Sequence, residues 1–246
     1  MRPEQRSLLL TGASRGIGHA TVKRFVEDGW HILTISRQRF AESCPWQAGA
    51  DNHIQLDLAD IGNVTRRIPD IRRRLPDGKL HALVNNAAIS PKTGAGGRLG
   101  TFNTELTLWQ QVFNVNFFAT LALAQGLKDE LIAAQGTIIN VTSIAGTRVH
   151  PFAGSAYATS KAALAALTRE LAADFGPHGV RVNAIAPGEI DTSILSPGTE
   201  HIVESAIPMR RLGSPAEVAN TIFFLCSPAA SYINGAEIHI NGGQHI

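Results

Sequence analysis

Two cysteines in 246 residues, Cys44 and Cys226, stand far apart and share no paired spacing. This scarcity excludes a disulfide framework and fits a reducing, cytoplasmic compartment. Long apolar runs are also missing. The N-terminal run Leu8 to Leu10 is broken by Gly12 and is too short for the hydrophobic region of a signal peptide. No run reaches membrane-spanning length, so no membrane partner is expected. Charge of one sign is not concentrated either. With a net charge of +2 and 17% charged residues, the chain lacks the blocks expected of a nucleic-acid or membrane-surface binder. Its densest basic group, Arg66, Arg67, Arg72, Arg73, Arg74 and Lys79, lies among Val64, Ile68, Ile71 and Leu75 at helical spacing and reads as a solvated helix face. The nine histidines show no metal-ligand spacing. His239 and His245 read as solvated tail residues, and no catalytic metal is expected.

What is present is 44% hydrophobic residues in a length that suits one sizeable α/β core and is short for two. Short apolar runs at 7–10, 32–35, 53–56, 82–84, 137–141, 180–185 and 237–240 read as strands. Between them, helical periodicity predicts helices at about 17–28, 60–74, 105–134, 156–175 and 215–226. Strand and helix alternate, which implies a doubly wound parallel sheet with helices on both faces, a Rossmann-type single domain over 1–246. Turn residues crowd 187–198, and a substrate lid is expected at about 189–211.

The first strand runs into Thr11-Gly12-Ala13-Ser14-Arg15-Gly16-Ile17-Gly18, followed by helical residues. Glycines permit the tight turn and a close backbone approach to a pyrophosphate, and the helix N-terminus offers unpaired N–H groups. Three glycines alone would be weak, but in a strand-turn-helix of the first unit they point to a dinucleotide. A carboxylate usually follows the second strand in NAD-binding members of this architecture. Here Ser36 fills that place, Arg37 and Arg39 follow, and Arg15 faces them from the turn. A guanidinium fork suits a 2′-phosphate, so NADP(H) is the expected cofactor.

Asn85-Asn86-Ala87-Ala88, then Asn116, Ser143 and Tyr157-Ala158-Thr159-Ser160-Lys161, complete the pattern. In order and spacing these motifs resemble the short-chain dehydrogenase/reductase family, over nearly the whole chain, with 3-oxoacyl reductases among its similar members. Tyr157 and Lys161 sit four apart and share one helix face. A nearby ammonium and an oxidised nicotinamide would lower the phenol from about 10 and make it a usable acid or base. Ser143 can bond a substrate oxygen as charge develops there. The resemblance implies that Asn116 holds a water linking Lys161 to solvent. It also places Asp57 and Leu58 beside the adenine, Asn86, Ala87 and Ala88 beneath the cofactor, and Pro187, Gly188, Ile190 and Thr192 around the nicotinamide amide. The family usually has glycine where Ala88 stands.

The family resemblance thus implies transfer of a hydride between nicotinamide and a carbonyl or secondary-alcohol substrate. It also implies a homotetramer, with contacts from the Ala-rich helix at 156–175 and the C-terminal strand. The other class considered, a nucleotide-sensing regulator that has lost its chemistry, would be expected to lack at least one of Asn116, Ser143, Tyr157 and Lys161. Pocket walls are expected at 91–102 and 147–152. Glu189 stands where an apolar residue is frequent, which points to a polar substrate or to a solvent-facing loop acid. Ala133-Ala134-Gln135 replace the basic residues expected near a carrier-protein site.

Overall fold

The computed structural model describes residues 5–39, 50–94, 96–192, 195 and 198–246. Cys44 therefore lies outside the described residues, as does part of the expected lid. Seven strands, β1 (Ser7–Thr11), β2 (His31–Ser36), β3 (His53–Gln55), β4 (Ala82–Asn85), β5 (Thr137–Val141), β6 (Arg181–Pro187) and β7 (Glu237–Ile240), form one sheet. Its order is β3-β2-β1-β4-β5-β6-β7, and every pairing is parallel. The helices are α1 (Gly16–Glu27), α2 (Ile61–Arg73), α3 (Leu106–Phe113), α4 (Ala119–Gly126), α5 (Lys128–Ala134), α6 (Ser155–Phe175), α7 (Thr199–Ala206) and α8 (Pro215–Leu225).

Strand residues alternate between the sheet's two faces. Leu9, Leu33, Leu83, Ile138 and Val182 pack with α2, α4 and α6, whereas Leu8, Leu10, Ile32, Val84, Ile139 and Ile185 pack with α1 and α8. Both faces are covered, so the strands read as continuous apolar runs. Strand order reverses between β1 and β4, and the crevice at their carboxyl ends is where a doubly wound sheet takes its ligand.

The helix expected over 105–134 is three helices. A π-helical turn over Asn114–Phe118 separates α3 from α4, and Leu127 separates α4 from α5. Apolar periodicity continues through both breaks, which hides them. Within the segment expected as a lid, α7 is a helix that the sequence did not announce. Its one buried apolar side chain is Ile202, too little for a periodic signal. One histidine expectation also changes: His239 stacks on the exposed His245 with ring centroids 4.1 Å apart, and its Nδ1 is buried, so His239 belongs to the packed end of β7. The basic group on α2 is mostly exposed as expected, and Asp70 pairs with Arg67, Arg73 and Arg74. Among the described residues, no helix is long and apolar enough to cross a membrane.

Candidate active site

A cleft of about 750 Å³ runs along the carboxyl ends of the strands. One end is bounded by Ser36, Arg37, Asp57 and Leu58, with Arg15 and Ser14 on the turn, and the other by Ser143, Tyr157 and Lys161. Gly12, Gly16, Ile17, Asn86, Ala87 and Ala88 line its floor, and Pro187, Gly188, Ile190 and Thr192 line the far wall. Of the residues assigned from the sequence, Gly18 and Asn116 lie outside the lining.

The floor is clamped from two sides. Gly12 adopts φ +75°, and its N–H donates to the Ile35 carbonyl at 2.8 Å. The Thr11 hydroxyl accepts from the N–H groups of Asn86 and Ala87, while the Asn86 amide donates to the carbonyls of Thr11 and Gly12. A Cβ on Gly12 would lie 2.8 Å from the Ala87 Cα. Gly18 serves packing instead: a Cβ there would meet the Gly12 carbonyl, so α1 could not approach β1. Ala88 needs no positive φ, and a methyl is tolerated there. Gly16, at φ +55°, opens α1 toward the cleft with Thr192 beside it. A floor of close-packed backbone and a helix N-terminus fit the pyrophosphate of a dinucleotide.

At the adenosine end, the Ser36 hydroxyl donates to the Gln38 carbonyl at 3.0 Å, and His53 Nε2 also donates to that carbonyl at 2.9 Å. The two bonds fix the turn that carries Arg37. Arg37 and Arg15 are exposed side chains on the cleft wall, but Arg39 is not in the lining. Asp57 accepts from the Ala59 N–H at 2.9 Å.

At the other end, Tyr157 and Lys161 lie one turn apart on α6, as their spacing requires. Lys161 is 1% exposed, and its Nζ donates to the Val141 carbonyl at 2.5 Å, 5.7 Å from the Tyr157 ring centroid. Burial lowers this ammonium to about 7. The Tyr157 phenol moves opposite to the sequence-based expectation. Burial raises it, a hydrogen bond with Ser143 partly offsets this, and the charge of Glu189 raises it further. Lys161 is itself driven toward neutrality, so it cannot lower the phenol as a full charge would.

Asn116 is fixed by contacts with the protein. Its carboxamide exchanges two hydrogen bonds with the Ile89 backbone, at 2.9 and 3.0 Å, and its Nδ2 donates to Ser160 at 3.0 Å. The side chain is engaged by protein, inside the π turn. It ties the segment after β4 to α6, next to Lys161, and so acts on position.

His150 falls in the stretch 147–152 expected as pocket wall, with no metal or catalytic spacing of its own. In the structure its Nε2 lies 2.6 Å from Glu189 Oε1, both side chains are about 10% exposed, and both line the cleft. Glu189 is thus not a solvent-facing loop acid. Cys226 has no place at the site; burial pushes its thiol up to about 12.

A family model described as Enoyl-(Acyl carrier protein) reductase matches residues 12–245. The chain is 61% identical, over its full length and 88% of the relative, to Protein FixR of Bradyrhizobium diazoefficiens. It is 34% identical to the 3-oxoacyl-[acyl-carrier-protein] reductase FabG of Aquifex aeolicus, over 96% of each chain. A crystal structure of a short-chain dehydrogenase/reductase family oxidoreductase from Brucella ovis, in complex with a partially ordered NAD, superposes with a TM-score of 0.84 at 58% identity. That match covers 97% of this chain and 100% of the other. The chain belongs to the short-chain dehydrogenase/reductase family of oxidoreductases.

Proposed function

We propose that this oxidoreductase uses NADP(H) to interconvert a carbonyl compound and a secondary alcohol, with Tyr157 as general acid and base. The observation that carries the reading is the meeting of Tyr157, Ser143 and Lys161 at the end of a cleft whose floor is a glycine turn at a helix N-terminus. The nicotinamide supplies hydride chemistry when bound. The chain's own part is the proton. A phenol held above its usual range is protonated near neutrality, which suits donation to a carbonyl oxygen. Ser143 bonds to the phenol and can bond the same substrate oxygen. Lys161, near 7, can return a proton through its short range of ionisation, and Asn116 fixes the geometry around it.

Preference for NADP(H) rests on Ser36 in place of a carboxylate and on the exposed Arg37 and Arg15 at that end of the cleft. The Brucella ovis relative was solved with NAD, so the same frame accepts a dinucleotide without the 2′-phosphate. The preference is therefore quantitative. The remaining cofactor contacts fall to Gly12, Ser14, Gly16, Ile17, Asp57, Leu58, Asn86, Ala87, Ala88, Pro187, Gly188, Ile190 and Thr192, with Gly18 supporting the turn. We also propose assembly as a homotetramer and a cytoplasmic location, supported by the family resemblance and by scarce cysteine. Ala162, Ala166 and Ala173 present an exposed strip of α6 for a close helix contact.

The test is turnover of a carbonyl panel with NADPH, followed by absorbance, for the native protein and Tyr157→Phe. Loss of turnover by about a hundredfold or more, with NADPH affinity nearly kept, is the expected result for an acid-base residue. Equal turnover by the variant would overturn the role.

A further inference from the structure

The substrate end of the cleft contains a buried pair that the proton chemistry does not use. His150 lies between β5 and α6, and Glu189 follows Pro187-Gly188 at the end of β6. The Phe152 N–H donates to His150 Nδ1 at 3.3 Å, so Nδ1 is an acceptor and the ring proton sits on Nε2. Nε2–H then donates to Glu189 Oε1 at 2.6 Å. The pair is a neutral imidazole holding a carboxylate. Both imidazole nitrogens are engaged, and the second oxygen of Glu189 has no partner among the described residues, although the residue lines the cavity. That oxygen is open to the cavity, where a donor on a bound molecule can fill its remaining acceptor capacity. Glu189 and Tyr157 line the same cleft, and the carboxylate's charge is felt at the phenol.

We propose that Glu189, oriented by His150, is the residue that selects the substrate: its open carboxylate oxygen accepts a hydrogen bond from a donor carried on the carbon next to the carbonyl. This rests on the reading of Tyr157 as the acid. The substrate class is then α-hydroxy ketones and the vicinal diols they yield; an α-ammonium ketone offers the same donor with added charge. Carboxylate-bearing ketones are disfavoured, because an acceptor-only oxygen repels a second anion. Ketones without a donor leave the Glu189 oxygen unpaired, and a site built around such a bond discriminates strongly against them.

The experiment compares kcat/KM for acetophenone, α-hydroxyacetophenone and α-aminoacetophenone with NADPH, at a pH where the amine is protonated. The native protein should favour the hydroxylated ketone over acetophenone by about ten- to a hundredfold, the range of a hydrogen bond to a charged group. Glu189→Leu should bring that ratio close to one. Glu189→Gln keeps a neutral acceptor, so it should retain most of the hydroxyl preference and lose any ammonium preference. This separates the two donors. NADPH titration of each variant reports whether the cofactor half of the fold is intact, and His150→Gln provides a second route to a disoriented carboxylate. Equal kcat/KM for the three ketones in the native protein, or a ratio unmoved by Glu189→Leu in a variant that still binds NADPH, would overturn the proposal. So would a native protein that binds NADPH and reduces none of the three. If instead Tyr157→Phe reduced them as fast as the native protein, the acid-base reading would be the part that fails.

Discussion

The two ends of the cleft are built from different materials. At the cofactor end, backbone does most of the work: the Gly12 turn, the N–H groups of Asn86 and Ala87 on Thr11, and the opening of α1 at Gly16 are held at strand ends. At the other end the wall is made by side chains on connections, with His150 after β5 and Glu189 and Leu195 after β6. Backbone approach demands glycine at fixed offsets, so the first half announces itself in one sequence. A wall of side chains accepts many residue types, so the second becomes visible only when the chain is folded.

The sharpest way to break this contrast is at Gly12. A side chain there must adopt φ +75° and enter the Ala87 backbone, so Gly12→Val should abolish measurable NADPH binding and lower the melting temperature by several degrees. Gly29 has nearly the same φ, +73°, but nothing within 4 Å of an added Cβ. Gly29→Ala should therefore cost only about 1 kcal/mol and leave binding alone. Calorimetry and NADPH titration of both variants check the pair. If both variants behaved alike, the clamp between turn and floor would not be what holds this end.

Lys161 sits at the junction of the two ends, where function and stability oppose each other. Lys161→Met should lose turnover and yet melt higher than the native protein. The sign follows from the proton balance. The native ammonium is lowered from 10.5 to about 7, so the unfolded chain binds more protons between these values and native stability rises with pH across that window. The advantage of methionine is thus largest below about pH 7 and shrinks toward 10.5, at about 1.4 kcal/mol per pH unit over that window. Melting curves at several pH values check it. A gap that stays constant from pH 6 to pH 10 would contradict the burial of this charge.

Legibility follows the same division. The five inner strands were readable because both faces are buried and apolar runs such as Leu8 to Leu10 and Ile138 to Ile139 are continuous, and the half-buried edge strands β3 and β7 from apolar residues set among polar ones. Tyr157 and Lys161 were readable because spacing by four forces one helix face. The π turn around Asn116 was not, since Val112, Val115 and Ala119 keep the apolar pattern running through it. The direction of the Tyr157 shift was not readable either. It depends on burial and on Glu189, which lies 32 residues away in sequence and joins the site only through β6. His150 was legible only as part of the wall expected at 147–152, and its pairing with Glu189 came only with the fold.

Whether charge at the end of β2 selects the 2′-phosphate of a dinucleotide held by the backbone-built half can be measured without knowing the substrate. Fluorescence titration of NADPH and NADH at low salt, where a phosphate contact is least screened, reads it directly. One partly exposed arginine-phosphate bond should make NADPH bind about tenfold tighter or more, and Ser36→Asp combined with Arg37→Leu should reverse the order. Equal native affinities for the two dinucleotides, or an order unmoved by the double substitution, would contradict it.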